Sequence, residues 1–209
     1  MPAPDLLERR WRAMAVLDAL LCPEWDQRYY SFDARWAAGE RVGTMRDGSG
    51  DHLTAWFSAA GTVVKGFAHE SPMARPVADD EGQWEGLYEG LPSALAAFLG
   101  EPAFVVDEAT FCLWWPAGAA GWGRGPVTPP DGPDPDGSRE LLAPFIEGVA
   151  GYRAFAGSYF DRDLPLAAVE AVFAHQPLDA ALLAALAPER SLAEVEAELA
   201  EAGYPRAGA

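Results

Sequence analysis

The chain has 209 residues, of which 50% are hydrophobic and 11% aromatic. A chain of this length can bury a core large enough to fold without disulfides or structural metals, so the composition excludes a disordered protein. The formal net charge is −17. An acidic surface repels phosphate groups, which excludes general nucleic-acid binding and attachment to anionic lipid.

The acidic side chains concentrate in the second part of the sequence. Residues 1–78 carry 10 acidic and 9 basic side chains, whereas residues 79–209 carry 22 acidic and 6 basic ones. A negative surface attracts positively charged molecules and speeds their encounter. We therefore expect a basic protein partner, with plain solubility as the alternative role of this charge.

Two cysteines, Cys22 and Cys112, have no second cysteine or histidine at ligand spacing. The sequence therefore predicts no disulfide framework, no zinc site and no cofactor. No apolar run approaches the ~18 residues of a membrane span, and arginines interrupt the apolar residues of the first 21 positions, so no signal peptide is predicted. These features favour a cytoplasmic protein.

Apolar periodicity predicts an N-terminal helix over residues 5–21 and then a series of strands. The predicted strands cover residues 28–36, 42–46, 52–58, 62–69, 110–116 and 122–127. A short helix is predicted over residues 91–100. Glycine-bearing turns separate successive strands, which is typical of an antiparallel meander.

Everything after Ser138 has helical spacing, and the last helix is predicted to begin at a capping box over residues 191–194. The fold class is therefore α+β, with an antiparallel sheet of about five or six strands, an N-terminal helix and a C-terminal helical cluster. We expect a single domain over residues 1–209. Its sheet-containing part covers residues 1–127 and its helical part residues 138–204.

Residues 42–72 contain the polar side chains most typical of a site. Within them, the segment Asp-Gly-Ser-Gly-Asp at positions 47–51 is a strong turn signal, because glycine supplies the positive φ that such turns need. The segment lacks the spacing of a phosphate-binding loop and precedes a strand rather than a helix. A hairpin turn is expected there, with a metal or phosphate loop as the alternative.

The candidate binding residues of this segment lie near its turn and its end. Arg46 and Asp51 flank the turn, and Lys65, His69 and Glu70 lie in or just after the following strand. The two-residue period of a strand places His69 and Glu70 on opposite faces, which weakens an acid–base pair between them. No catalytic residue and no metal ligand is predicted. Lys65→Ala is expected to remove function while the melting temperature stays nearly unchanged.

Two tryptophans, Trp114 and Trp115, are the remaining candidates for binding. Exposed tryptophan is frequent at the energetic centre of protein interfaces, although core packing also explains a dense apolar run such as residues 110–116. Aromatic platforms that bind single-stranded nucleic acid lie in basic grooves, which this sequence does not provide.

Several strings of the sequence resemble a bacterial family of uncharacterised proteins. They are YYSFDARW, MRDGSGD, FSAAGTVVKGFAHESP, TFCLWW, DPDGS and LAEAGYP, and together with the segments between them they span most of the chain. The pattern LP followed by AFL within residues 91–99 is similar to the SMI1/KNR4-type immunity superfamily, whose members bind toxins. Neither resemblance assigns a catalytic residue.

These observations favour a non-enzymatic protein-binding module, of an immunity or antitoxin-like kind, that engages a basic partner. The alternative is a small hydrolase or metal-dependent enzyme that uses the loop at residues 46–52 and the corner at residues 65–70. A homodimer is the third arrangement that the sequence leaves open.

Overall fold

The computed structural model describes residues 1–74 and 84–207 and has the predicted α+β fold. An N-terminal helix precedes a five-stranded antiparallel sheet, and further helices follow it. The helices are α1 (Pro4–Leu21), α2 (Ser138–Glu147), α3 (Val149–Tyr159), α4 (Leu166–Phe173), α5 (Ala180–Leu186) and α6 (Glu196–Glu201). The strands are β1 (Tyr30–Ala37), β2 (Glu40–Arg46), β3 (His52–Ser58), β4 (Gly61–Phe67) and β5 (Phe111–Pro116).

The strands follow the order β1-β2-β3-β4-β5 in the sheet, as expected for a meander. In the register of β3, β4 and β5, Lys65 lies opposite Thr54 on one side and Cys112 on the other. Directly opposed residues of antiparallel strands share a face of the sheet. The three side chains therefore point to the same side.

The predicted sixth strand at residues 122–127 does not form. Gly123 makes only an isolated antiparallel bridge with Trp114. Gly125 and Pro126 follow directly, and glycine and proline both weaken strand pairing, proline because it lacks an N–H donor.

The chain forms two compact units. Unit 1 comprises Met1–Ala38 and Ala143–Ala209, and unit 2 comprises Gly39–Leu142. This division differs from the predicted sheet-containing and helical parts, because α1 and β1 belong with the C-terminal helices. The predicted single domain stays a prediction.

Unit 1 is built around α1, whose side chains are buried on almost every side from Trp11 to Leu20. β1, α4, α5 and α6 all pack against this helix. The Trp11 ring lies 4.3 Å from Phe145, and Tyr30 meets Phe145 edge-on at 5.7 Å, measured between ring centroids. Large aromatic side chains thus supply much of the buried apolar surface that stabilises this unit.

A buried carboxylate joins three elements of unit 1. Asp18 of α1 is fully buried; its Oδ2 accepts the backbone N–H groups of Tyr29 and Tyr30 at 2.9 Å each, and its Oδ1 accepts the Tyr152 hydroxyl at 2.7 Å. Burial raises the pKa of Asp18 to about 7, although these hydrogen bonds act in the opposite direction. Asp18 therefore ties α1 to the start of β1 and to α3.

Unit 2 packs 3₁₀ segments over one face of its strands. The predicted helix at residues 91–100 forms as the 3₁₀ segment Ser93–Gly100, and Pro102–Phe104 follows it. Phe98 and Phe104 stack at 4.9 Å and form a core cluster with Trp56, Val63 and other apolar side chains. This layer covers the face of the sheet to which Lys65 points.

The last helix begins later than predicted. Ser191 and Glu194 make the capping-box contact, with the Ser191 N–H donating to Glu194 Oε2 at 2.6 Å, but this contact closes a separate turn. Val195, with φ −105° and ψ 4°, departs from helical geometry, so α6 starts at Glu196. None of the described helices combines the length and apolar character needed to cross a bilayer.

Candidate functional site

The tip of the β2–β3 hairpin is organised by Asp47. Its Oδ1 accepts the backbone N–H groups of Ser49, Gly50 and Asp51 at 2.8, 3.0 and 2.9 Å, and its Oδ2 accepts the Ser49 hydroxyl at 2.7 Å. Partial burial on its own would raise the pKa of Asp47, but the Ser49 hydroxyl and the backbone N–H groups outweigh it and lower the pKa. The carboxylate therefore acts as the internal hydrogen-bond acceptor of this turn.

The second carboxylate of the tip, Asp51, holds His69. Asp51 Oδ1 accepts both the backbone N–H of His69 at 2.8 Å and its ring Nδ1 at 2.6 Å. The hydrogen bond that the His69 ring donates to Asp51, followed by the charges of Asp51 and Glu70, raises the pKa of His69. With Nδ1 donating to Asp51, the Nε2 atom is the one left for a ligand or a proton.

The peptide at Gly50 lies against the ring of His69. A Cβ atom at Gly50 would come within 3.0 Å of His69 Cγ, and its φ of +131° also requires glycine. Gly50 thus allows the loop to contact the histidine closely.

Strand alternation does not apply to His69 and Glu70. β4 ends at Phe67, so both residues follow the strand. Their side chains approach each other, with His69 Nε2 3.8 Å from Glu70 Oε1. The expected separation onto opposite faces depended on a strand that continued to residue 69.

Three side chains at this corner have the donor atoms of a cation site. One oxygen from each of Asp47 and Asp51 and a ring nitrogen of His69 lie within 4.8 Å of one another. Such a mixture of carboxylate and imidazole suits divalent metals in general. Here the Asp47 carboxylate and the Oδ1 atom of Asp51 are engaged by N–H and O–H donors, so the geometry is that of a hydrogen-bonded turn.

Lys65 is separate from this corner and fully buried. Its Nζ lies 3.0 Å from each of three acceptors, the carbonyl oxygens of Phe104 and Val105 and the Nε2 of His52. An ammonium group has three protons, and the site offers three acceptors. Burial lowers the pKa of Lys65 to about 8, and the nearby carboxylate of Glu108 acts in the opposite direction.

His52 connects the buried lysine to the surface. Its ring stacks on Phe67 at 5.4 Å, and its Nε2 lies 3.9 Å from a Glu108 carboxylate oxygen. Burial and then the charge of Lys65 lower the pKa of His52. The neutral ring with its proton on Nδ1 is the form that accepts from Lys65, and we assign this tautomer from the hydrogen bond.

The seven predicted binding residues fall in three places. Asp51, His69 and Glu70 meet at the hairpin corner, where Arg46 ends β2 opposite His52 in the strand register. Lys65 is enclosed beneath the 3₁₀ layer. Trp114 and Trp115, in β5, form the third place.

The two candidate tryptophans differ in exposure. Trp114 is only 6% exposed and belongs to the core cluster of unit 2. Trp115 is half-buried and meets Trp122 edge-on at 5.5 Å. Core packing therefore accounts for Trp114, and an exposed platform would have to be built on Trp115.

Glu108 was not among the residues predicted from sequence, and Asp47 and His52 entered only as part of the loop at residues 46–52 in the alternative prediction. The Asp-Gly-Ser-Gly-Asp string signals Asp47, since aspartate often accepts hydrogen bonds from residues two and three positions later. His52 could have been paired with Lys65 only through the register of β3 and β4. Glu108 lies in a turn, where the sequence has no periodic pattern from which its position could be predicted.

Comparison of the chain with protein-family models, with curated proteins and with solved structures gives no match.

Proposed function

We propose that this protein is a non-enzymatic module that binds a basic protein partner. The observation that carries the proposal is the use of arginine in unit 1. The positive side chains of unit 1 are engaged in contacts inside the unit and are outnumbered by acidic side chains, so the net charge presented to a partner is negative.

Unit 1 contains 16 acidic residues and nine basic ones, all of them arginines. Seven of these arginines donate to backbone carbonyl oxygens, and the other two pair with glutamates. The seven are Arg9, Arg10, Arg12, Arg28, Arg35, Arg153 and Arg190, and the two are Arg162 and Arg206. Arginine presents several donors in a fixed plane, which suits it to hold loop and helix-end carbonyls.

The described part of unit 2 is also acidic. It contains 13 acidic and five basic residues, and one of the five is the enclosed Lys65. A surface with this excess accelerates encounter with a positively charged protein and disfavours acidic ones. We therefore assign the binding role to the charge of the protein as a whole.

Calorimetric titration tests the proposed function. The probe is a synthetic peptide of alternating arginine and glycine, and the control is the peptide with glutamate in place of arginine. We expect saturable binding of the arginine peptide at about 0.15 M salt and its loss near 1 M, where screening is strong. The absence of saturable binding at 0.15 M would overturn the proposal.

We further propose a cytoplasmic protein of the immunity or antitoxin kind. Both cysteines are free and buried, which suits a reducing compartment. The natural candidate for the partner is a basic protein encoded beside it. Co-expression should yield a complex that survives size-exclusion chromatography, and a neighbouring toxin whose activity is unchanged by this protein would contradict the inhibitory role.

A hydrolase is the second candidate function, and the Asp51–His69 pair favours it. An aspartate that holds Nδ1 leaves Nε2 as a base, the arrangement that activates water or a hydroxyl in many hydrolases. Hydrolysis of p-nitrophenyl acetate tests this role. His69→Gln should lower the rate, whereas His175→Gln, in unit 1, should not. Equal rates for wild type and His69→Gln would exclude it.

A further inference from the structure

Unit 1 contains a groove between α1, the start of β1 and α6. Ten residues line it: Ala15, Ala19, Trp25, Arg28, Tyr30, Ser31, Phe32, Glu198, Glu201 and Ala202. The space amounts to about 260 Å³, counting the part that is open to solvent. Its floor of alanine and aromatic side chains is apolar, and its acidic groups come from α6.

One wall of the groove is an exposed tryptophan. Trp25 is 51% exposed, the largest exposed fraction among the exposed large hydrophobic side chains of the described residues. Tryptophan is the aromatic side chain that attracts cations most strongly through its ring face. Phe32, which also lines the groove, already makes one such contact with an arginine outside it, since the Arg12 guanidinium lies 4.9 Å from the centre of the Phe32 ring.

The arginine inside the groove is committed. Arg28 is buried, and its guanidinium donates to the carbonyl oxygens of Cys22 at 2.7 Å and Pro23 at 2.9 Å and to Glu198 at 3.2 Å. Arg190 also approaches Glu198, at 4.0 Å. The carboxylate of Glu198 is therefore paired with arginine within the protein.

Glu201 differs from Glu198, because its carboxylate makes no hydrogen bond or ion pair with any residue that the structure describes. Partial burial and then repulsion from Asp33 and Glu198 raise its pKa, while Arg28 opposes this effect. A further positive charge in the groove would relieve this repulsion. The carboxylate is thus suited to an external cation.

We propose that this groove receives an arginine or lysine side chain of the basic partner. The inference rests on the proposed function and gives it a location. The aliphatic stem of the incoming side chain packs on the apolar floor, and its cationic head lies between the Trp25 ring and the Glu201 carboxylate. Long basic side chains combine these two characters, with an apolar stem and a charged end.

NMR titration with the arginine–glycine peptide tests the location. The indole N–H signal of Trp25, assigned from a Trp25→Phe variant, should shift with saturation. Trp25→Ala should weaken binding about two- to fivefold, the range for a surface cation–π contact. Glu201→Gln should weaken it by a similar factor, as expected for a partly exposed ion pair.

Two control variants match these changes elsewhere in unit 1. Trp36→Ala removes another exposed tryptophan, and Glu170→Gln removes another exposed carboxylate, neither of which lines the groove. Both should bind like wild type. All four positions are exposed, so unchanged melting temperatures are expected, and circular dichroism checks them.

The possible outcomes distinguish a wrong binding site from a wrong proposed function. If wild type binds the peptide and the groove variants bind as tightly as the control variants, the groove is not the site, although a basic partner remains supported. If wild type fails to bind at about 0.15 M salt, the proposed function itself is overturned. If Glu170→Gln weakens binding as much as Glu201→Gln, only the overall charge matters and the location is wrong.

Discussion

At the scale of single residues, Lys65 is a charge enclosed in an apolar layer and balanced by three acceptors. We expect Lys65→Met to destabilise the protein by about 2–4 kcal/mol, because buried acceptors left without a donor cost about 1–3 kcal/mol each and water reaches only some of them. Urea unfolding measures this. This expectation replaces the one from sequence, in which substitution left the melting temperature nearly unchanged.

The pH dependence of the unfolding free energy of wild type and Lys65→Met tests the lowered pKa of Lys65. The pKa of Lys65 is about 8 in the folded state and 10.5 when unperturbed. Between these values the unfolded state binds the additional proton, so the stability of wild type relative to Lys65→Met should rise with pH. Other groups titrate there too, which is why the difference between the two proteins is the quantity to measure. Parallel profiles would show that Lys65 keeps an ordinary pKa.

Asp18 gives a pH effect of the opposite sign. Its pKa is about 7 in the folded state against 3.8 when unperturbed, so the folded state retains a proton that the unfolded state releases. The stabilisation is complete below about pH 4 and is lost as the pH rises through about 7. Relative to Asp18→Asn, wild type should lose up to ~1.4 kcal/mol per pH unit in this window.

The unfolding free energies of wild type and Asp18→Asn, measured from pH 4 to 8, test whether the pKa of Asp18 is raised. Asparagine retains an oxygen that can accept from Tyr29 and Tyr30 and has no charge to bury, so its profile should lack this slope. A constant difference between the two profiles would mean that Asp18 is ionised throughout.

These single-residue environments explain which site residues could not be predicted from the sequence. Asp18 looks like an ordinary helix residue, and its burial appears only when Tyr152, 134 positions later, packs against it. Trp25 and Glu201 likewise come to line one groove only through the packing of distant segments. Asp51 and His69, in contrast, lie in neighbouring strand ends, and the sequence placed both among the candidates.

At the scale of elements, the turn after the Pro102–Phe104 segment is strained. Val105 has φ +45°, a left-handed conformation that is unfavourable for a β-branched residue, and its side chain is 46% exposed. Asparagine tolerates this conformation better. Val105→Asn should therefore stabilise the protein by about 0.5–1 kcal/mol, and the backbone carbonyl that accepts from Lys65 is retained.

Leu99→Asn is the matched control for Val105→Asn. Leu99 is 38% exposed but does not have a positive φ, so the same change should give no stabilisation. Thermal melts compare the two variants. If Val105→Asn loses stability as Leu99→Asn does, the apolar contacts of Val105 outweigh its strain.

Local periodicity predicted some elements well and others poorly, for physical reasons. Strict alternation gave β3 with its observed ends. The residues at 122–127 were assigned to a strand as the hairpin partner of residues 110–116, and Gly125 and Pro126 prevent this pairing. In the last helix, the capping contact of Ser191 is present, but the backbone at Val195 interrupts the helix.

At the scale of the whole molecule, the net charge of −17 produces self-repulsion in the compact state. We expect the urea midpoint to rise as salt is added from about 0.01 M to about 0.15 M, where the Debye length falls from roughly 30 Å to roughly 8 Å. Guanidinium chloride would mask the effect because it is itself a salt. A midpoint that falls over this range would show that attractive ion pairs dominate.

The interrupted course of unit 1 sets an order of events during synthesis. The chain leaves unit 1 after Ala38 and returns to it at Ala143. A ribosome, which adds about 5–20 residues per second, delivers all of unit 2 after β1 and before the helical partners of α1 emerge. Until then Trp11 has no Phe145 to contact and Asp18 no Tyr152. The part of the apolar surface of α1 that the C-terminal helices cover is therefore open to chaperones or to aggregation for several seconds in each round of translation.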